Sequence, residues 1–316
     1  MMMTKIAAFT TATLAICLYA APASAQRSWV SGTGNDVASC SRAAPCLTFA
    51  AAIAKTVAGG EINCLDPGDF GVVNITISIT IDCEGTLGSI LASGTNGIIV
   101  NAAGINVQLR NLTINGAGTP AGIGGIRFLA GSSLVLDRVH IMNFNSVPAV
   151  GIGFAPNSAN AVLSVNNSSI VSNGLAPATG GGIVVQPAAG GTNALVTVHN
   201  STIQRNGGSG ILVNTANGSA IVTVGDSTIS HNTNGGVRSV ATGSSTVLIE
   251  RTKINSNSAF GVSSENSAST VRVGSSTIHA NAIGMQTLGG VLRSYQNNQI
   301  NGNGGGEGPF TQEFLR

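Results

Sequence analysis

Four side chains in the second half of the chain have the types and spacing that acid–base chemistry uses: His199, Asp226, Glu250 and Arg251. A carboxylate beside an imidazole can move a proton, and a guanidinium can hold a developing negative charge. They are catalytic candidates only if the chain returns on itself about every 25 residues, because no single strand or helix brings them together. Acids are otherwise scarce. Between Gly104 and Asn303 the carboxylates are Asp137, Asp226, Glu250 and Glu265. A regular strand points Asp226 and Glu250 to opposite faces. Asp226 instead falls level with Arg251, which reads as a surface ion pair worth little.

The chain does return on itself. An isoleucine after Ser, Thr, His, Lys or Gln recurs as Ile114, Ile141, Ile170, Ile203, Ile229, Ile254, Ile278 and Ile300, at spacings of 27, 29, 33, 26, 25, 24 and 22 residues. A period in this range means stacked units, none able to bury its apolar face alone. The apolar runs around each marker are short, β-branched and alternating, as in Leu195-Val196-Thr197-Val198. They are therefore strands, with only Gly, Asn and Ser turns between them. Strands coiled into a parallel solenoid satisfy the pattern, each coil about 4.8 Å from the next.

Asn173, Asn206, Asn232, Asn257, Asn281 and Asn303 each follow their marker by three residues, while Ala117 and Phe144 take that place in two earlier units. Asparagine tolerates the left-handed backbone, and its amide can bond to the matching amide one coil on. A buried structural ladder is the reading. Leucine-rich repeats need L-x-x-L-x-L before such an Asn, and left-handed helices need a six-residue repeat. Neither pattern occurs. The fold class is all-β, a right-handed parallel β-helix.

Residues 1–25 read as a signal peptide: Lys5, an apolar stretch from Ile6 to Ala20, then Ala23-Ser24-Ala25 for cleavage. That stretch is short for a membrane span, and no later run is long enough. Leu14-Ala15-Ile16-Cys17 resembles a lipoprotein signal but has bulky Ile16 where a small residue is needed. Secretion or release into a periplasm follows. Cys40, Cys46, Cys64 and Cys83 then remain, an even number all before the regular repeats, as an oxidising compartment favours. Cys40 and Cys46 read as a self-closed loop, and Cys64 and Cys83 as a bridge across one short coil. Zinc is the alternative, but the spacings fit no common finger and no His accompanies them. Residues 26–60 are expected to cap the solenoid through this loop and a helix over 47–57, with Phe49, Ile53 and Val57 on one face. Coils are expected over 61–303, with 304–316 a C-terminal tail.

The remaining polar groups read as turns and surface. Arg205 falls level with His231. Thr113, Thr202, Thr228 and Thr277 form an outward column, which regular hydroxyl binding to ice or glycan would use, but His140, Ser169 and Lys253 interrupt it. Phe128, Phe144, Phe154 and Phe260 read as packing rather than sugar platforms. Beyond the signal the chain has one Trp (Trp29) and one Tyr (Tyr295), so stacking platforms for sugars are few. Charged residues make up only 8% of the chain and net charge is +2, so no basic stripe suggests nucleic acid. No cofactor and no metal site is expected, and the protein is expected to be a monomer.

Trp29-Val-Ser-Gly-Thr-Gly-Asn-Asp, Cys40-Ser-Arg-Ala-Ala-Pro-Cys46, Thr48-Phe49-Ala50, Gly59-Gly-Glu-Ile and Leu65-Asp-Pro-Gly together resemble the start of small secreted bacterial right-handed β-helix repeat proteins of the pectin-lyase-like group. That resemblance implies fold and export. It implies no activity, because the group spans lyases, hydrolases, epimerases and adhesin passengers. Its lyases use a calcium-binding carboxylate cluster with a basic residue, and its hydrolases use paired aspartates. The hydrolase signatures Asn-Thr-Asp, Asp-Asp and Gly-His-Gly are absent here. The expectation is a non-catalytic exported module binding a polysaccharide, a cell-envelope component or a protein. The alternative is a carbohydrate-active enzyme with an unconventional site.

Overall fold

The computed structural model describes residues 25–147, 149–175, 180–188 and 190–313. The expected signal segment lies outside the described residues except for Ala25, which opens the first strand. Each regular coil contains three parallel strands. A long strand (Asn193–His199, then Ser219–Gly225, Ser244–Glu250 and Ser269–Gly274) is followed by a short one (Thr202–Gln204, Thr228–Ser230, Lys253–Asn255, Thr277–His279). A return strand follows (Ser209–Asn214, Gly235–Val240, Phe260–Glu265, Ile283–Leu288). Long and short strands share one twenty-stranded sheet bent at a corner, and the return strands form a nine-stranded sheet. Register is kept coil after coil: Ile203 pairs with Ile229, Ile229 with Ile254, and Ile254 with Ile278.

The alternation decides which side chains enter the core. In Asn193–His199, Ala194, Val196 and Val198 point in and are buried, while Leu195, Thr197 and His199 face out. The marker isoleucines from Ile114 to Ile278 stack with 0% exposure. Each contributes about 1.5–3 kcal/mol relative to exposure.

Two left-handed corners turn each coil. The first is taken by Asn111, Arg138, Asn167, Asn200, Asp226, Arg251 and Ser275, with φ between 45° and 55°. Just after it lies a buried hydroxyl, Ser168, Ser201, Ser227, Thr252 or Ser276. Ser201 Oγ donates to the His199 carbonyl at 2.8 Å and accepts from the Ser168 N–H of the preceding coil at 3.2 Å. The second corner is turned by Ser172, Arg205, His231, Ser256 and Ala280, each one residue before a ladder asparagine. Asn232 Nδ2 donates to Asn257 Oδ1 at 3.0 Å and to the Ile203 carbonyl at 3.3 Å. Asn232 Oδ1 accepts from Asn206 N and Nδ2 at 3.1 and 3.0 Å. The row runs buried from Asn173 to Asn303, where Asn303 Nδ2 donates to Glu307 Oε2 at 2.7 Å. Phe144, fully buried, fills the equivalent corner one coil before Asn173, and its N–H donates to Asn173 Oδ1.

A glycine follows as the second residue of each return strand from Asn96–Asn101 onward, because this corner is full. A Cβ on Gly210 would meet Ile229 Cγ2 at 2.6 Å, Gly236 O at 2.8 Å and Asn232 Nδ2 at 2.9 Å. Isoleucine, asparagine and glycine are thus one packing unit.

At the N-terminal end two expectations need correction. The coils start before residue 61, because Arg27–Val30 pairs in parallel with Glu61–Cys64. The helix is confined to Phe49–Ile53, because Thr56 and Val57 are drawn into the strand Thr56–Cys64. Thr48 caps the helix by accepting from Ala51 N at 3.1 Å, and Phe49 packs on Phe70 with ring centroids 5.1 Å apart. The Cys40–Cys46 loop covers the open edge of the first strand: Trp29 N donates to Cys40 O, and Cys46 N to Trp29 O. Cys40 is bonded to Cys46, and Cys64 to Cys83, whose coils are level because Asn63 pairs with Asp82.

Asn232→Ala removes two donors and two acceptor contacts from a site with no water access. Urea unfolding should show a loss of about 1–3 kcal/mol. An unchanged midpoint would mean that the ladder adds nothing to the stack.

Candidate functional site

The coil register assembles the four candidate residues at the first corner. His199 and Glu250 end their long strands, and Asp226 and Arg251 are the left-handed residues of successive coils. Arg251 Nε and Nη2 donate to Asp226 Oδ1 and Oδ2, both at 2.8 Å. His199 Nδ1 lies 3.3 Å from Asp226 Oδ2, and Arg251 Nη1 lies 3.5 Å from Glu250 Oε2. The hydrogen bonds from Arg251, with its charge and that of His199, hold the Asp226 carboxyl below its ordinary range. A carboxylate held ionised in this way is a poor proton acceptor near neutral pH.

The group is also one rung of a longer series. Asn111 Nδ2 donates to Asp82 Oδ1, Arg138 Nε to Asn111 Oδ1, Asn167 Nδ2 to Asp137 Oδ1, and Asn200 Nδ2 to Asn167 Oδ1, each at 2.7 Å. Side chains at a left-handed corner project outward one above another, so whatever they carry pairs along the solenoid axis. Arg205 and His231 occupy the same position of the second corner in successive coils, both exposed. The threonine column is real as a register, running Thr113, His140, Ser169, Thr202, Thr228, Lys253 and Thr277. Phe128, Phe144 and Phe154 are fully buried, and Phe260 is nearly so.

The outward side of the return sheet was not singled out by the sequence pattern. Its central column runs Ile99, Arg127, Gly153, Val184, Leu212, Arg238, Ser263 and Gln286. At one end Arg238 Nε and Nη2 donate to the two oxygens of Glu265 at 2.8 Å, and Ser263 Oγ donates to Glu265 Oε1 at 2.9 Å. Burial opposes ionisation of Glu265, but the hydrogen bonds from Arg238 and Ser263 outweigh it and hold the carboxyl below its usual range. Arg238 and Glu265 are 27 residues apart, one coil plus two positions, and that spacing is the signal by which the sequence could have paired them. At the other end Arg127 borders a cleft of about 270 Å³ over Gly153, lined also by Ile123, Val184, Asn96 and Gln186.

No protein-family model matches the chain, and no curated protein matches it in sequence. Two solved structures resemble it. Pectate lyase Pel9A superposes with a TM-score of 0.65 at 13% identity, covering 91% of this chain and 82% of that one. The GH136 lacto-N-biosidase from Eubacterium ramulus aligns with a TM-score of 0.45 at 11% identity, covering 91% of this chain and 67% of that one. The chain has the right-handed parallel β-helix fold of the pectin-lyase-like group.

Because the folded pKa of Asp226 is lowered, the stabilisation from its pairing with Arg251 is present above the unfolded value and fades as pH falls through the folded one. A carboxyl-detected NMR titration should place Asp226 below 3.8, its ordinary value. Arg251→Ala should bring it back up. An unshifted Asp226 in the unsubstituted chain would show that the pair does not persist in solution.

Proposed function

We propose that the chain is an exported β-helix that binds a glycan, an envelope component or a protein on the outer faces of its coils and carries out no chemistry there. One observation carries this reading: every carboxylate between Gly104 and Asn303 is held by an arginine. Asp137 is 2.8 Å from Arg138, Asp226 is 2.8 Å from Arg251, Glu250 is 3.5 Å from Arg251, and Glu265 is 2.8 Å from Arg238. Cleaving a uronate polymer by elimination needs its carboxylate neutralised and a base placed beside C5, which calls for several uncommitted acids on one sheet face. Here those acids are spaced along two different edges of the solenoid, each already facing an arginine. Export is supported by the Cys40–Cys46 and Cys64–Cys83 disulfides, which persist in oxidising compartments.

The competing reading is a carbohydrate-active enzyme working through His199, Asp226, Glu250 and Arg251, and the binding reading forecasts the opposite outcome. The purified chain should retain ligand on a glycan array and release neither unsaturated products nor reducing ends from polygalacturonate or alginate, with or without calcium. Cleavage that disappears in Asp226→Ala or Glu250→Ala would overturn the binding reading and make that group the active site.

A further inference from the structure

The two arginines in the outward column of the return sheet are in opposite states. Arg238 spends its guanidinium on Glu265. Arg127, four coils earlier in the same column, is exposed and has no hydrogen-bond or ion-pair partner among the described residues. Everywhere else along the sheet face and first corner, arginine meets an acid or amide supplied by a neighbouring coil. At Arg127 the neighbouring coil supplies a glycine.

That glycine is not required by the fold. Gly151, two residues earlier, is: a Cβ there would meet Ile170 Cγ2 at 2.5 Å and Gly182 O at 2.7 Å. A Cβ on Gly153 would meet nothing closer than Val150 Cγ2 at 3.4 Å, an ordinary contact, and its φ lies outside the left-handed region. The position would accept a side chain, and the one effect of leaving it bare is an open floor beside Arg127. The cleft over it, at about 270 Å³, is slightly below the range of about 300–1,000 Å³ for drug-sized ligands, so it suits a single ring. Its chemistry is mixed: Val184 and Ile123 offer apolar walls, Asn96 and Gln186 offer both donors and acceptors, and Arg127 offers a planar fork. A shallower groove on the outside of the first long strands lacks such an anchor. Its Ser78, Asn106, Ser133 and Gln108 side chains are already bonded to neighbouring backbone or side chains.

We propose that this cleft holds one anionic sugar residue of a glycan, its carboxylate or sulfate taken bidentately by Arg127. The sugar's hydroxyls meet Asn96 and Gln186, and the apolar face of its ring lies against Ile123 and Val184. The proposal rests on the binding reading above and gives it a site and a ligand class.

Calorimetric titration of the purified chain with tri-galacturonate, a sulfated galactose trisaccharide and neutral galactotriose at low salt tests it. At least one of the two acidic oligomers should bind, and which of them does identifies the anion; galactotriose should bind far more weakly. Arg127→Ala should weaken binding about tenfold or more, the loss of a charged hydrogen-bonded pair. Gly153→Leu, which fills the floor while leaving the guanidinium, should do the same, and both variants should keep the circular dichroism of the parent. Arg205→Ala, at an exposed corner outside the cleft lining, should change nothing. Equal affinity for acidic and neutral oligomers, affinity untouched by Arg127→Ala, or no binding of any of the three would overturn the site. Binding of other array glycans would then leave the broader reading standing, which only product formation removes.

Discussion

Every coil must reverse direction at the second corner without stranding a buried amide, and the rest of the structure depends on how that is done. The ladder asparagine solves it by offering a donor and an acceptor along the stacking axis at once. In doing so it satisfies the next coil's asparagine and the marker carbonyl of the coil before. The same amide, with the marker isoleucine beneath it, fills the space in which the second residue of the return strand would put a Cβ. The corner therefore fixes three residue types together. It also fixes the register, because a one-residue slip would turn every marker isoleucine outward.

A frame determined from inside leaves the outside free. Along the first corner, side chains of any type project outward and pair with the coil above, giving Asp82–Asn111–Arg138 in early coils and Asp226–Arg251 later. The His199, Asp226, Glu250 and Arg251 group has the membership of an active site, but its geometry is that of one more rung. The return sheet differs. Its outward column mixes apolar, charged and glycine positions, and the gap at Gly153 gives that face the concavity that the corners lack. A solenoid with regular corners and an irregular face is suited to holding a ligand lengthwise.

Much of this was legible in the residues. The marker period and the asparagines three positions on specify coil and corner from the sequence alone, because each is repeated and each repetition has one physical cause. What escaped the reading was non-periodic or depended on register. The buried Ser201 and Ser227 ladder was visible as the residue two before the marker, but Ser is common in exposed turns and its type does not announce burial. The strand at Arg27–Val30 is too short and polar to stand out from the cap, and Thr56-Val57 continues a helical pattern until the sheet claims it. The cleft beside Arg127 joins residues from Asn96 to Gln186, and its decisive member is a missing side chain. No local pattern encodes that; it emerges only when Gly153 is set in register between Arg127 and Val184.

Ligand contact is proposed on the return face, with the first corner a structural edge. Backbone chemical-shift mapping with tri-galacturonate tests that division most directly. Shifts confined to the cleft, at Asn96 and residues 123–130, 150–155 and 181–186, with Asn200, Asp226 and Arg251 unmoved, are the predicted result. Shifts centred on His199, Asp226 and Arg251, with the return strands silent, would contradict it.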